Sequence, residues 1–175
     1  STVAGADFIW SATTSNVNMP AISGTKANID QVVTLINGFQ NGTINIEVKP
    51  QIGSCFGTSQ QILITVKPIP VITSTVSNKT VICNNEFVTL TSNSNPAATA
   101  YNWQINTATG VQIVGGATSG TSTTGIVNLQ LALTNPLVVG TISFDFTPVN
   151  GICTGATITN AVTITVNPIP GTPIS

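Results

Sequence analysis

The chain has no histidine and no arginine, and it carries only four lysines and five acidic residues among its 175 residues. Without histidine, the sequence excludes catalytic triads with a histidine base and zinc sites of the usual His and Cys types. Without arginine or any basic stripe, it excludes arginine phosphate clamps and argues against a nucleic-acid partner. The acids never cluster in the sequence, which argues against a calcium site. We therefore expect no enzyme, no cofactor and no metal.

Long apolar runs are also missing, since no stretch approaches the roughly 20 residues that span a bilayer. Hydrophobic residues nevertheless make up 41% of the chain, as many short runs of Val and Ile set among Thr, Ser, Asn and Gly. β-Branched side chains suit the pleated, half-buried surface of a sheet. The composition therefore predicts an all-β protein without membrane insertion.

Two parts of the chain repeat each other at a spacing close to 100 residues. The motif Ile64-Thr-Val-Lys-Pro-Ile-Pro70 returns as Ile164-Thr-Val-Asn-Pro-Ile-Pro170. Further matches join Gly42-Thr-Ile-Asn-Ile-Glu-Val-Lys-Pro50 to Gly140-Thr-Ile-Ser-Phe-Asp-Phe-Thr-Pro148, and Trp10 to Trp103. The sequence thus contains two copies of one domain.

The two copies differ in length. Copy two has about 32 residues before its tryptophan, whereas copy one has nine. We therefore predict a first domain at residues 1–70 that lacks its first one or two strands. A complete domain is predicted at 71–170, and residues 171–175 are expected to begin the connection to a further repeat.

Alternation of apolar and polar residues between turn signals predicts seven strands in copy two. They lie near residues 79–83, 86–92, 100–106, 110–114, 126–134, 140–148 and 160–167. Seven short strands in about 100 residues, with a tryptophan on the third, are typical of an immunoglobulin-like β-sandwich. Trp10 and Trp103 are the expected core anchors between the sheets, and Asp145 and Glu47 are expected on the solvent face.

Several motifs of copy two follow one another in a fixed order. They are Cys83, Val88, Leu90, Trp103, Leu133, Asn135, the strand from Gly140 to Pro148, the loop of Gly151, Cys153 and Gly155, and the closing Val-Asn-Pro-Ile-Pro. This order resembles PKD-like domains. These are immunoglobulin-like tandem repeats of giant Bacteroidetes cell-surface proteins, including gliding-motility adhesins exported by the type IX secretion system.

The resemblance implies a structural spacer or stalk repeat of a large secreted adhesin at the bacterial cell surface, with neighbouring repeats of the same chain as partners. Two alternatives stay open. One is a module whose loop ends bind surface polysaccharide or another cell-surface protein, although exposed aromatic residues are scarce. The other is a fibre subunit that a neighbour's strand completes, although the tail offers no spare strand.

The three cysteines can be interpreted once the copies are aligned. Cys83 and Cys153 lie in the complete copy, and we expect a disulfide between them, which favours an oxidising, extracellular setting. Cys55 is the counterpart of Cys153, so its partner is expected outside this sequence. Three free thiols are the alternative, and no Cys-x-x-Cys pair supports a metal site.

Two kinds of connecting segment stand out. Proline fixes its own φ and biases the preceding residue towards extended conformations, which predicts stiff linkers at Pro68 and Pro70 and at Pro168 and Pro170. The glycine-rich run at 115–125 lacks the lysine and the following helix of a phosphate-binding loop. It is expected to be a flexible loop between strands.

Overall fold

A computed structural model describes residues 5–25 and 28–171, and the chain forms two compact units. Unit 1 extends to Pro68, and unit 2 begins at Ile69. Every regular element within the described ranges is a β-strand, so the predicted all-β fold is confirmed. Of the expected connection at 171–175, only Gly171 lies within the described residues.

Unit 1 is built around one sheet. Its strands are β1 (Asp7–Ser15), β2 (Val17–Asn18), β3 (Ser23–Gly24), β4 (Thr34–Leu35), β5 (Gly42–Ile52), β6 (Cys55–Phe56) and β7 (Gln60–Val66). Strands β1 and β7 flank β5, β3 pairs with β1, β6 pairs with the end of β5, and β2 pairs with β4. In β5, Ile44 and Ile46 are buried while Thr43 and Asn45 are exposed. This is the two-residue period of a strand with one covered face.

Unit 2 contains two sheets, one of four strands and one of six. Its strands are β8 (Val71–Ser77), β9 (Val81–Cys83), β10 (Phe87–Asn95), β11 (Ala100–Thr109), β12 (Val111–Ile113), β13 (Ser119–Ser122), β14 (Ile126–Leu133), β15 (Gly140–Asn150), β16 (Cys153–Thr154) and β17 (Ile158–Asn167). One sheet has the order β12-β14-β10-β8. The other has the order β13-β11-β15-β17-β9, with β16 paired to the end of β15. Strand β9 runs parallel to β17.

The two sheets of unit 2 share one hydrophobic core. Leu90 and Leu131 from the first sheet and Phe144 and Phe146 from the second are fully buried in it. Strands β8, β10, β14 and β12 correspond to the ABED sheet of an immunoglobulin fold, and β11, β15 and β17 correspond to its CFG sheet. The expected immunoglobulin-like sandwich is therefore confirmed.

Three strands of unit 2 differ from the expectation, and one of them is the two-residue β16 in the predicted loop of Gly151, Cys153 and Gly155. Strand β8 precedes the first predicted strand, and most of its side chains are exposed, so it lacks a clear apolar alternation. Strand β13 lies inside the glycine-rich run that was expected to be a flexible loop. Its serine, glycine and threonine residues form a strand because they pair with β11.

Candidate functional site

Each unit places its tryptophan against a glycine of the neighbouring strand. Trp103 pairs with Gly120 in β13, and Trp10 pairs with Gly24 in β3. A Cβ atom on Gly120 would lie 2.9 Å from Cζ2 of Trp103, and one on Gly24 would lie 2.8 Å from Nε1 of Trp10. Both indole rings are buried and lie over these glycines. Glycine inside a strand often marks such a close approach, which is the one signal in the sequence that could have identified this pair.

The expectation that Asp145 faces solvent is wrong, because this side chain is only 4% exposed. Both strands beside it carry β-bulges. Strand β11 has one extra residue, Asn106, and β17 has two extra residues between Ile158 and Val162. Nδ2 of Asn106 donates a hydrogen bond to Oδ2 of Asp145 at 3.1 Å, and the backbone N–H of Asn160 donates to Oδ1 at 2.9 Å. The bulges thus carry polar groups over the carboxylate.

The hydrogen bonds around Asp145 decide its protonation. Burial acts to raise the pKa of this carboxyl, but hydrogen bonds from Asn106, the Asn160 backbone and Gln104 hold the pKa below its ordinary value. Asn160 is tied in further, because Oγ of Ser143 donates to its Oδ1 at 2.8 Å. The carboxylate is therefore ionised at neutral pH and acts as an acceptor that holds the two bulges together.

Glu47 occupies the equivalent position in unit 1 but has a different environment. It pairs with Ser11 of β1 and Gln61 of β7 without a bulge on either side. Its carboxylate is partly exposed and lies 3.3 Å from Nζ of Lys49. The hydrogen bond from the Ser59 side chain, followed by that from Lys49 and its charge, lowers the pKa of Glu47. An exposed pair of this kind contributes little to stability.

The expected disulfide between Cys83 and Cys153 does not fit this fold. Cys83 pairs with Asn167, at the end of β17 that lies beside Gly140. Cys153 pairs with Asn150, at the other end of β15. At about 3.3 Å per residue the two ends of β15 are roughly 33 Å apart, whereas the Cα atoms of a disulfide lie within about 7 Å. The error arose because spacing along the chain does not reveal which end of the sandwich a residue occupies.

Cys55 holds the same position in unit 1 that Cys153 holds in unit 2. Cys55 pairs with Ile52 just after β5 turns, as Cys153 pairs with Asn150 after β15. The Cys55 side chain is exposed. A counterpart of Cys83 would lie at the far end of unit 1, so the fold gives no support to the disulfide partner expected outside this sequence.

The described residues were expected to contain neither a metal site nor a membrane span. Within residues 5–25 and 28–171, no three His, Cys, Asp or Glu side chains lie close enough to hold a metal ion. The same part of the chain contains no helix that is long and apolar enough to cross a membrane.

Pro70 packs into unit 2. It is fully buried, and Gly155 lies so close to the Pro70 carbonyl and the Pro148 ring that a Cβ atom there would collide with both. The other three expected linker residues differ in exposure: Pro68 is buried, Pro168 is half-buried and Pro170 is exposed. Stiffness of these segments stays a prediction, but Pro70 also has a packing role.

The chain enters and leaves unit 2 at opposite ends of the sandwich. Pro70, just before β8, lies against Pro148 and Gly155, at the end of β15 where Asn150 stands. The last strand ends at Asn167, one residue beyond Val166, which pairs with Gly140 at the other end of β15. These two ends are about 33 Å apart at the usual rise per residue.

Unit 1 has an open apolar face, which we call the unit 1 groove. It has a volume of about 590 Å³. Apolar residues dominate its lining: Phe8, Trp10, Ile29, Ile46, Val48, Ile62 and Ile64, with Asn28 and Gln60 as the two polar members. Ile62 is 49% exposed and Ile64 is 42% exposed, although both point into the groove from β7. The sequence of β7 does not predict this exposure, because its run of apolar residues is typical of a buried strand.

No family model matches the chain, and no curated protein matches it. Among solved structures, domains 4 and 5 of the S-layer protein SbsC are similar at 12% identity and a TM-score of 0.37, covering 92% of this chain and 70% of that one. The D0-D1 domain of intimin is similar at 12% identity and a TM-score of 0.34, covering 95% and 84%. An amphioxus IgVJ-C2 molecule is similar at 13% identity and a TM-score of 0.37, covering 93% and 92%. Likenesses at these values carry no inference about function.

Proposed function

We propose that the chain is a structural spacer made of tandem repeats, in a large secreted protein at the bacterial cell surface, without catalytic activity. The observation that carries the proposal is the path of the chain through unit 2, which enters at one end of the sandwich and leaves at the other. Repeats joined in this way add length one after another. Neighbouring repeats are the proposed partners, and the link to gliding adhesins and type IX export rests on the sequence resemblance.

The pairing of the terminal strands supports a load-bearing role. Strand β9 lies parallel to β17, with Ile82 opposite Val166. The backbone N–H of Thr165 donates to the Thr80 carbonyl at 2.8 Å, and that of Asn84 donates to the Asn167 carbonyl at 2.9 Å. Tension at the two ends of unit 2 pulls β9 and β17 in opposite directions along their length. Their hydrogen bonds are then loaded together instead of one after another.

Stretching the whole chain from its two ends in a single-molecule force experiment tests the proposal. Unit 2 should unfold in one step and lengthen the chain by about 300 Å. The roughly 97 residues from Val71 to Asn167 extend to about 330 Å at about 3.4 Å each when unfolded, and the folded unit already spans about 33 Å of this. Gradual extension without such a step would contradict a load-bearing spacer.

Two proline substitutions on the same edge of β17 provide a matched pair. Thr165→Pro removes the N–H that bonds the Thr80 carbonyl, whereas Thr163 has no residue of β9 opposite it. Proline removes a donor and imposes the same backbone restriction at both sites. We expect Thr165→Pro to lower the unfolding force of unit 2 more than Thr163→Pro does. Equal effects would mean that the pairing of β9 with β17 carries no load.

A glycan array probed with the whole chain separates the spacer from a carbohydrate-binding module. Both tryptophans are buried, so neither offers a surface on which a sugar ring can stack. We expect no binding above background. Reproducible binding of one glycan class would favour the module.

A further inference from the structure

The unit 1 groove is an apolar surface on the inner side of a sheet, where a sandwich domain has its core. Ile62 and Ile64 in β7 hold the positions that Val162 and Ile164 hold in β17. The pairing of β7 with β5 at these residues has the same register as the pairing of β17 with β15. Val162 is 7% exposed and Ile164 is 0% exposed, against 49% and 42% for their counterparts. The same strand position is thus covered in one unit and open in the other.

The cover in unit 2 comes from its first strands. Val88 and Leu90 in β10 are fully buried in the core shared with Ile164, and Ile82 in β9 is 3% exposed. Their alternation with polar residues directs one side of the segment inwards. In unit 1, the part of the chain that the structure describes contains no strand in this place.

Two backbone edges of unit 1 are open in the same region. In the described residues, β7 pairs with β5 alone, whereas β17 also pairs with β9. Residues 28–33 belong to no strand, whereas their counterparts at the start of β14 pair with Phe87–Thr91 of β10. Unpaired strand edges and an uncovered apolar face are both features that an added strand satisfies.

We propose that the unit 1 groove binds a two-stranded segment equivalent to β9 and β10, which belongs to the same polypeptide on the N-terminal side of β1. Its first strand runs parallel to β7, and its second pairs with residues 28–33 and directs apolar residues into the groove. The connection favours the same polypeptide, because β10 leads directly into β11, the counterpart of β1. This inference does not depend on the spacer role.

Grafting the equivalent segment tests the inference. A second copy of residues 71–97 is placed directly before Gly5, in place of residues 1–4, because Trp10 and Trp103 align Gly5 with Ala98. The Trp103→Phe substitution leaves Trp10 as the fluorescence reporter of unit 1. We expect the unfolding temperature of unit 1 to rise by roughly 10 °C or more, since each kcal/mol shifts a domain of this size by about 4–8 °C. Amide exchange at Ile62–Val66 should slow at the same time.

Matched substitutions confined to the grafted copy test the contacts. Val88→Asn together with Leu90→Asn removes the two inward apolar side chains, and we expect it to abolish the rise. Thr89→Asn changes the residue between them, which faces away from the core, and it should preserve most of the rise. If both grafts stabilise unit 1 equally, the groove does not recognise the alternation and the inference is wrong.

Two further measurements keep the result decisive. A synthetic peptide of residues 79–95, added to the ungrafted chain, should slow amide exchange at Ile62–Val66, and a peptide with Val88→Asn and Leu90→Asn should not. Sedimentation equilibrium of the ungrafted chain should show a monomer. A dimer that Ile62→Asn dissociates would overturn the inference and assign the groove to a second copy of the chain.

Discussion

Unit 1 and unit 2 share a sheet register but differ in how much of that sheet is covered. Ile44 pairs with Ile64 in unit 1 as Ile142 pairs with Ile164 in unit 2. Yet the buried core comprises six hydrophobic residues in the described part of unit 1 and 17 in that of unit 2. Strand pairing therefore follows from the repeated pattern of each strand. Burial of the inward face depends on an opposing sheet, which unit 2 has and unit 1 has only in part.

The second difference between the units lies on the outer face of the sheet. Cys55 and Cys153 are 98 residues apart, whereas Ile64 and Ile164 are 100 apart. The two additional residues lie in the bulge of β17 beside Asp145. A change in the repeat spacing thus records a bulge that buries a carboxylate, and it does not simply reflect a longer loop.

The largest expected effect is a gap in stability between the units. We expect the free energy of unfolding of unit 1 to be about 3 kcal/mol or more below that of unit 2. Ile62 and Ile64 stay nearly half exposed, and full burial of such a side chain contributes about 1.5–3 kcal/mol. Trp103→Phe and Trp10→Phe variants leave one fluorescence reporter per unit for denaturant titrations. Superimposable transitions in the two variants would show that the open face costs unit 1 nothing.

The contrast between Asp145 and Glu47 gives the next effect. Asp145→Ala removes the carboxylate that accepts hydrogen bonds from the Asn106 and Gln104 amides and the Asn160 N–H, and each hydrogen bond to a charged group contributes about 1.5–3 kcal/mol. The three donors lie on exposed residues, so water replaces part of the lost bonding. We expect unit 2 to lose about 3 kcal/mol in denaturant titrations. Glu47→Ala is the matched control and should leave unit 1 nearly unchanged, because Glu47 is partly exposed. Equal losses would mean that the bulges do not depend on the carboxylate.

The glycines opposite the tryptophans give an intermediate effect. Gly120→Ala places a methyl group against the Trp103 ring, and overpacking of this kind costs about 1–3 kcal/mol. Gly24→Ala should cost less, since the open side of unit 1 lets the Trp10 ring move. Gly38→Ala is the control, because nothing lies within 4 Å of a Cβ atom there. A loss at Gly24 that equals the loss at Gly120 would mean that both cores are equally rigid.

Acid should weaken unit 2 through Asp145. The folded pKa of Asp145 lies below its ordinary value of 3.8, so its contribution is present above the unfolded pKa and is lost as the pH falls through the folded pKa. We expect the denaturant concentration at the unfolding midpoint of unit 2, followed by Trp103 fluorescence, to decrease once the pH drops below about 4. Asp145→Asn should flatten this dependence. An unchanged pH profile in that variant would assign the acid sensitivity to other groups.

Local patterns made part of this structure predictable from the sequence. Strand β15 and the position of Trp103 follow from alternation and from the repeat, because both signals lie within a few residues. Strand β13, the burial of Asp145 and the separation of Cys83 from Cys153 depend on which strand lies alongside and in which register. The local alternation of apolar and polar residues does not determine which distant strands pair, or in which register. The open groove likewise depends on whether a second layer covers β7, which the residues of β7 do not determine.

The smallest expected effect concerns the cysteines, and it separates the fold from the disulfide that the sequence suggested. Cys83 is exposed at one end of unit 2 and has no counterpart in the described part of unit 1, whereas Cys55 and Cys153 hold equivalent positions. We expect Cys83→Ser to change the stability of unit 2 by less than about 0.5 kcal/mol, as for other surface substitutions. Loss of a native disulfide would instead cost about 2–5 kcal/mol. Alkylation of the folded chain without reductant should label Cys55 and Cys83, as intact mass and peptide mapping would show. Protection of Cys83 together with Cys153, reversed by reductant, would mean that the register of β9 with β17 differs from the one described.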